Sequence, residues 1–143
     1  MKIVRNQEQA RGDEMREILF RGQSPFTKEW HEGLLAHNMD NDNGLYEGWY
    51  ISNSFGRPYA YRVDPETVGQ YTGLNDHAGT KIFNGDIVMI DGDTDEIGVV
   101  EWDEDELKYY IDSEGCLLSL GEFYSKELEV IGNIHDNPEL LEA

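Results

Sequence analysis

Thirty of the 143 residues are Asp or Glu, against eleven Lys or Arg, for a net charge of −19. Carboxylates are therefore the side chains best supplied to do chemistry, as ligands for a cation, as general acids and bases, or as a charged face for a partner. Their distribution is uneven: eight basic and nine acidic side chains lie up to Arg62, three basic and twenty-one acidic after it. They are densest from Asp91 to Glu114. Two runs in that stretch, Asp91, Asp93, Asp95 and Glu96, then Asp103, Glu104, Asp105 and Glu106, form the candidate acidic interaction surface. Charge asymmetry of this kind informs on partners and solubility and says nothing of fold.

The spacing of these carboxylates narrows their chemistry. Asp91-Gly92-Asp93-Thr94-Asp95 alternates like a calcium loop, but an EF-hand also wants Gly at its sixth position and Glu at its twelfth. Glu96 and Trp102 stand there. Asp40-Asn41-Asp42-Asn43-Gly44 fails in the same way, and both read as turns. With so many carboxylates, a pair of them carries no glycosidase signal. His31 and His37 lie six residues apart, with His77 and His135 distant. No His-x-x-x-His spacing occurs, and adjacent His31 and Glu32 would face opposite sides of a strand. The histidines read as loop or surface residues, and whether they converge is a question for the fold. Phosphate-binding, dinucleotide and nucleophile-elbow motifs do not occur. Cys116, between Gly115 and Leu117-Leu118, reads as a buried, inert thiol. No catalytic residue, metal ligand or cofactor is assigned. Trp49-Tyr50 and Tyr59-Ala60-Tyr61 read as core, with a stacking surface as the functional alternative.

The elements that must position these groups are strands. Glu17–Arg21 and Glu29–Leu35 suit an N-terminal hairpin, and Gly48–Ser52 and Ala60–Val63 a second pair about a Gly-Arg-Pro turn at residues 56–58. Val68–Gly73, Asp86–Ile90, Gly98–Trp102, Leu107–Ile111 and Leu128–Ile134 follow, rich in β-branched and aromatic residues. Asp91–Glu96 and Asp103–Glu106 are expected as turns, Gly98 as a bulge, and Trp102 and Ile131 as core. Pro138 opens a final helical turn. No helical apolar period runs for twelve residues, so the fold class is mainly β, a barrel or sandwich. Residues 1–14 read as an N-terminal extension, with Met15 as an alternative start, and residues 15–143 as one domain.

Composition excludes several classes. Three Trp, eight Tyr and five Phe are too many for a disordered acidic polymer. A single cysteine rules out an internal disulfide framework and suits a reducing, cytoplasmic compartment. No apolar run approaches the ~20 residues of a membrane span. The charge opposes broad contact with DNA or RNA; only a local patch of Arg16, Arg21, Lys28, Arg57 and Arg62 leaves direct nucleic-acid binding open.

The blocks MREILFRG at residues 15–22, VGQYTGLNDHAGTKIFNGDIV at 68–88, GVVEWD at 98–103 and LEVIGNIHDNPELLE at 128–142 resemble the YopX family of phage and prophage proteins. The resemblance implies an SH3-like barrel with additional N-terminal hairpins, and origin in a phage or prophage of a Gram-positive host. It implies no established activity and supplies no functional residues. Three readings of function follow. The first is an accessory protein that binds another protein, with self-association as a further option. The second is an acidic decoy that mimics nucleic acid. The third is a metal-dependent hydrolase using carboxylates with His31, His37 or His135.

Overall fold

Ten strands account for most of the described residues, in a computed structural model that describes residues 16–41, 46–53 and 59–142. The expected extension at residues 1–14, Met15, residues 42–45 of the Asn-rich loop and the turn at residues 56–58, with Arg57, lie outside the described residues. The first sheet contains β1 (Phe20–Gln23), β2 (Trp30–Asn38), β3 (Gly48–Asn53), β4 (Tyr59–Asn75) and β5 (Lys81–Phe83). The second contains β6 (Asp86–Ile90), β7 (Asp93–Asp103), β8 (Lys108–Ser113), β9 (Cys116–Ser119) and β10 (Leu128–Asn133), in the order β10-β6-β7-β8-β9. All pairings are antiparallel.

The first sheet turns back on itself. β1 pairs with β2 and also with β4, so β1 to β4 hydrogen-bond in a circuit. The two strands expected at residues 60–63 and 68–73 are one long strand. Pro65 does not end it, because the ladder with β1 skips there, passing from Gly69 to Asp64 while β1 moves from Arg21 to Gln23. Proline lacks an N–H and is tolerated at such a bulge. The bulge is closed by side chains: Asp64 Oδ1 accepts the Glu66 N–H at 3.0 Å, and the Gln23 N–H donates to Thr67 Oγ1 at 2.9 Å.

The second sheet is a meander. Its inner face buries Val88, Ile90, Val100, Ile111 and Leu128 together with Ile82 of β5 and Leu120. β5 thus carries the first sheet into the core of the second. The Gly98 expectation is corrected. Its backbone has no bulge, and an added Cβ would stand 2.4 Å from Ile111 Cγ2 and 2.8 Å from the Asp112 carbonyl oxygen, so glycine there permits close approach of β7 and β8. The irregularity falls earlier, where Met89 pairs with Ile97 but Ile90 pairs with Asp93, leaving Thr94–Glu96 as extra residues in β7.

Three apolar expectations also change. Trp102 is 42% exposed and packs edge-on against Tyr109 at 4.9 Å, because β7 outruns the core at that end. Ile131 is half-buried on edge strand β10. Cys116 is exposed: it begins edge strand β9, and in that strand Leu118 is the residue that packs on the core. Pro138–Leu141 forms a 3-10 turn.

Candidate functional site

Hairpin chemistry places the acidic residues. Asp91 and Gly92 both have positive φ, 53° and 68°, and Ile90 pairs with Asp93 across them. Two left-handed residues in sequence are what a tight two-residue hairpin of this twist needs, and Asp-Gly is a favoured pair for it. The turn is therefore only two residues long, and Asp93, Asp95 and Glu96 belong to β7 instead of the loop expected for them. Asp93 Oδ1 accepts the Asp95 N–H at 2.9 Å, which steadies the extra residues at the start of the strand. Glu114 and Gly115 repeat the same turn between β8 and β9, with φ of 50° and 86° and Ser113 opposite Cys116.

In an antiparallel meander the first and third connections share one end of the sheet. That rule gathers Asp95 with Asp112 and Glu114, and the 3-10 turn at Pro138–Leu141 adds Leu140, Leu141 and Glu142. Together they line a groove of about 460 Å³ whose floor includes Ile97 and Val99. Two contacts hold its wall: Ser113 Oγ donates to the Ile97 carbonyl at 3.1 Å, and Asp112 Oδ1 accepts the Gly115 N–H at 2.9 Å. Four carboxylates border the groove and, among the described residues, no Lys or Arg lines it.

The second acidic run lies elsewhere. Asp103 is the last residue of β7, opposite Lys108, and Glu104, Asp105 and Glu106 lie in the β7–β8 turn at the far end of that strand. Asp103 lies eight positions beyond Asp95, at most about 26 Å at ~3.3 Å per residue. Asp103 Oδ1 closes this turn by accepting the N–H groups of Asp105 at 2.9 Å and Glu106 at 3.2 Å, and Leu107 ends it with φ of 55°. The eight candidates are thus two patches. Of the first run only Asp95 joins Asp112, Glu114 and Glu142 at the groove; Asp91, Asp93, Glu96 and residues 103–106 do not. Sequence reasoning missed Asp112, Glu114, Glu142 and the two leucines. The usable signal was the pair of acidic-Gly turns at residues 91–92 and 114–115, one hairpin period apart.

The histidines do not converge. His31 stacks on Tyr61 at 4.0 Å, and His37 stacks on Trp49 at 4.2 Å while meeting Glu47 at 3.2 Å. His77 lies 3.5 Å from Glu129, and His135 lies 5.9 Å from the Trp30 ring. Among the described residues no three His, Cys, Asp or Glu side chains come together in a way that holds a metal ion. Tyr50 is buried, so the Trp49-Tyr50 pair splits between a half-buried stack and the core.

A second polar cluster joins the two sheets. Asp86, only 1% exposed at the start of β6, takes a 2.7 Å ion pair from Arg21 Nη1 of β1 and a 2.8 Å hydrogen bond from the Phe83 N–H. Burial pushes the Asp86 carboxyl above its ordinary value, against the pull of Arg21. The guanidinium sits 4.9 Å from the ring centroids of both Trp30 and Phe83. Its Nε and Nη2 are buried without a hydrogen-bond acceptor, so cation–π attraction, of order 0.5–2 kcal/mol per ring, is what offsets their desolvation. Nearby, Asp136 accepts hydrogen bonds from Trp30 Nε1 at 2.7 Å and Gln23 Nε2 at 2.9 Å; Trp30 foremost holds its carboxyl below the ordinary value. Burial alone would raise Asp76, but N–H donors from Val130, Thr80 and Ala78 outweigh it and lower the carboxyl. An aspartate opening an apolar strand, Asp86-Ile-Val-Met-Ile, is the one sequence sign of this junction.

Comparison with known proteins agrees with the architecture. The fold is similar to the crystal structure of protein EF1440 from Enterococcus faecalis, at TM-score 0.56 and 23% identity, over 90% of this chain and 100% of that one. It is also similar to the crystal structure of yopX from Bacillus subtilis, at TM-score 0.51 and 17% identity, over 87% and 96%. No curated protein matches the chain. Identities this low carry the fold alone. The family model described as YopX protein matches residues 19–142, and the chain belongs to the YopX family.

Proposed function

We propose that this protein works by binding another protein at the end of the second sheet where the β6–β7 and β8–β9 turns meet. The observation that carries the reading is the groove there, apolar in its floor and bordered by carboxylates, with no cation lining it among the described residues. Among the described residues the carboxylates at its rim make no ion pair that holds the fold, unlike Asp86. A surface of one sign raises the association rate of an oppositely charged partner and keeps others away.

A nucleic-acid decoy makes a different demand. Mimicry of a phosphate backbone asks for a continuous line of charge, and the two acidic runs lie towards opposite ends of β7. That separation favours local docking. For architecture, we read the β1–β4 circuit as the SH3-like part of the molecule, supported by the pairing of β1 with both β2 and β4. The setting consistent with the family is an accessory role in the cytoplasm of a phage-carrying Gram-positive cell.

Affinity capture from host lysate, eluted along a salt gradient, tests the reading. A partner released between about 0.1 M and 1 M salt by the native protein, and not retained by an Asp95→Asn, Asp112→Asn, Glu114→Gln variant, is the expected result. A partner retained equally by both proteins overturns it.

A further inference from the structure

We propose that the occupant of the groove is a short cationic, amphipathic segment of the partner, two or three residues of which seat apolar side chains between flanking Lys or Arg. This deepens the protein-binding reading above and rests on it. The groove's size sets the scale, since about 460 Å³ matches a few side chains and not a globular face. Its floor sets the apolar requirement. Val99 is buried, but Leu140 and Leu141 of the 3-10 turn are 36% and 45% exposed, an apolar surface left uncovered at the groove. Its rim sets the charge. Asp95, Asp112, Glu114 and Glu142 line the same groove, and among the described residues no basic side chain lines it.

Lys and Arg fit such a place doubly, because their aliphatic stems lie on apolar surface while the charged heads reach outward to the carboxylates. An acidic segment meets like charge on every side, and a purely polar cationic one leaves the leucines wet. Rim ion pairs supply steering and salt dependence, while the buried apolar groups supply the selectivity between cationic sequences.

Two labelled hexapeptides of equal charge separate these contributions: Lys-Leu-Lys-Val-Lys-Lys and Lys-Ser-Lys-Ser-Lys-Lys, titrated against the full chain by fluorescence anisotropy at low salt. The native protein is expected to prefer the Leu/Val peptide by about tenfold, the factor that partial burial of two apolar side chains supports. A Leu140→Ser, Leu141→Ser variant is expected to bind both peptides equally, at the affinity the native protein shows for the serine peptide. Both leucines lie in an exposed terminal turn, and an unchanged thermal melt confirms that the variant is folded. Equal binding of the two peptides by the native protein, or a preference that survives in the variant, overturns the amphipathic occupant and leaves acidic docking standing. Failure of both peptides to bind the native protein overturns the occupant and counts against the acid-end reading itself.

Discussion

The junction between the sheets and the acidic end of the second sheet use the same functional group for opposite purposes. At the junction, Asp86, Asp76 and Asp136 each have, besides any local N–H donor, a partner far along the chain: the Arg21 guanidinium, the Val130 N–H and the Trp30 indole N–H. At the hairpin ends, Asp93, Asp103 and Asp112 accept only N–H groups two or three residues along, closing their own turns. Distance in sequence separates the two kinds. Arg21 reaches Asp86 across 65 residues and Gln23 reaches Asp136 across 113, so these carboxylates specify how the sheets join. The others specify local turns and leave their charge facing outward. What a carboxylate does here is decided by what opposes it.

The largest effect is expected from Asp86→Ala. It strands the Arg21 guanidinium without its ion pair in a buried site, at a cost of about 3–5 kcal/mol in a urea titration. A loss under about 1 kcal/mol would show that Arg21 finds water and that the junction is not a lock. Asp76→Ala comes next, because it frees the N–H groups of Ala78, Thr80 and Val130. A cost of about 1–3 kcal/mol is expected by the same titration, and none would mean that the turn is held without it.

Acidification sharpens the contrast further. Asp76 and Asp136 are lowered in the folded protein, so their stabilisation is fully present above the ordinary aspartate value of 3.8 and is lost as pH falls through their lower folded values. Asp86 is raised, so the folded state takes up its proton first, and acidification relieves the cost of burying that charge. Net acid destabilisation, reduced in an Asp76→Asn, Asp136→Asn variant, is the expected pattern in thermal melts taken from neutral pH downward. A variant as acid-labile as the native protein would remove both residues from the account. The smallest effect on stability belongs to the groove: Asp95→Asn, Asp112→Asn, Glu114→Gln is expected to shift stability by no more than about 0.5 kcal/mol, in the stabilising direction, by relief of like-charge repulsion. A loss of several kcal/mol would place these side chains among the fold determinants.

Legibility in the sequence follows the same division. The strands Asp86–Ile90 and Leu128–Asn133 announce themselves through β-branched residues, and Asp91-Gly92 through its turn chemistry. Local signals carry that far. Cys116–Ser119 was hidden because a short edge strand with two leucines looks like core, and Trp102 looks central although β7 extends past the buried layer. The single span of β4 was hidden because the sequence shows Pro65, and only pairing with β1 shows the bulge that accommodates it. For the site, Asp95 is the one groove carboxylate that the sequence candidates included. The division of the acidic surface into two ends, and the recruitment of Leu140, Leu141 and Glu142, come from strand order and from the docking of the terminal turn, which no local pattern encodes.

Amide chemical-shift mapping with the Leu/Val hexapeptide on isotope-labelled protein tests the central claim most directly, because it reports place independently of affinity. The account predicts perturbations confined to Thr94–Val99, Asp112–Gly115 and Leu140–Glu142, with Arg21, Asp76 and Asp86 silent. Perturbations centred on Asp103–Leu107, or spread over both acidic ends alike, would contradict it.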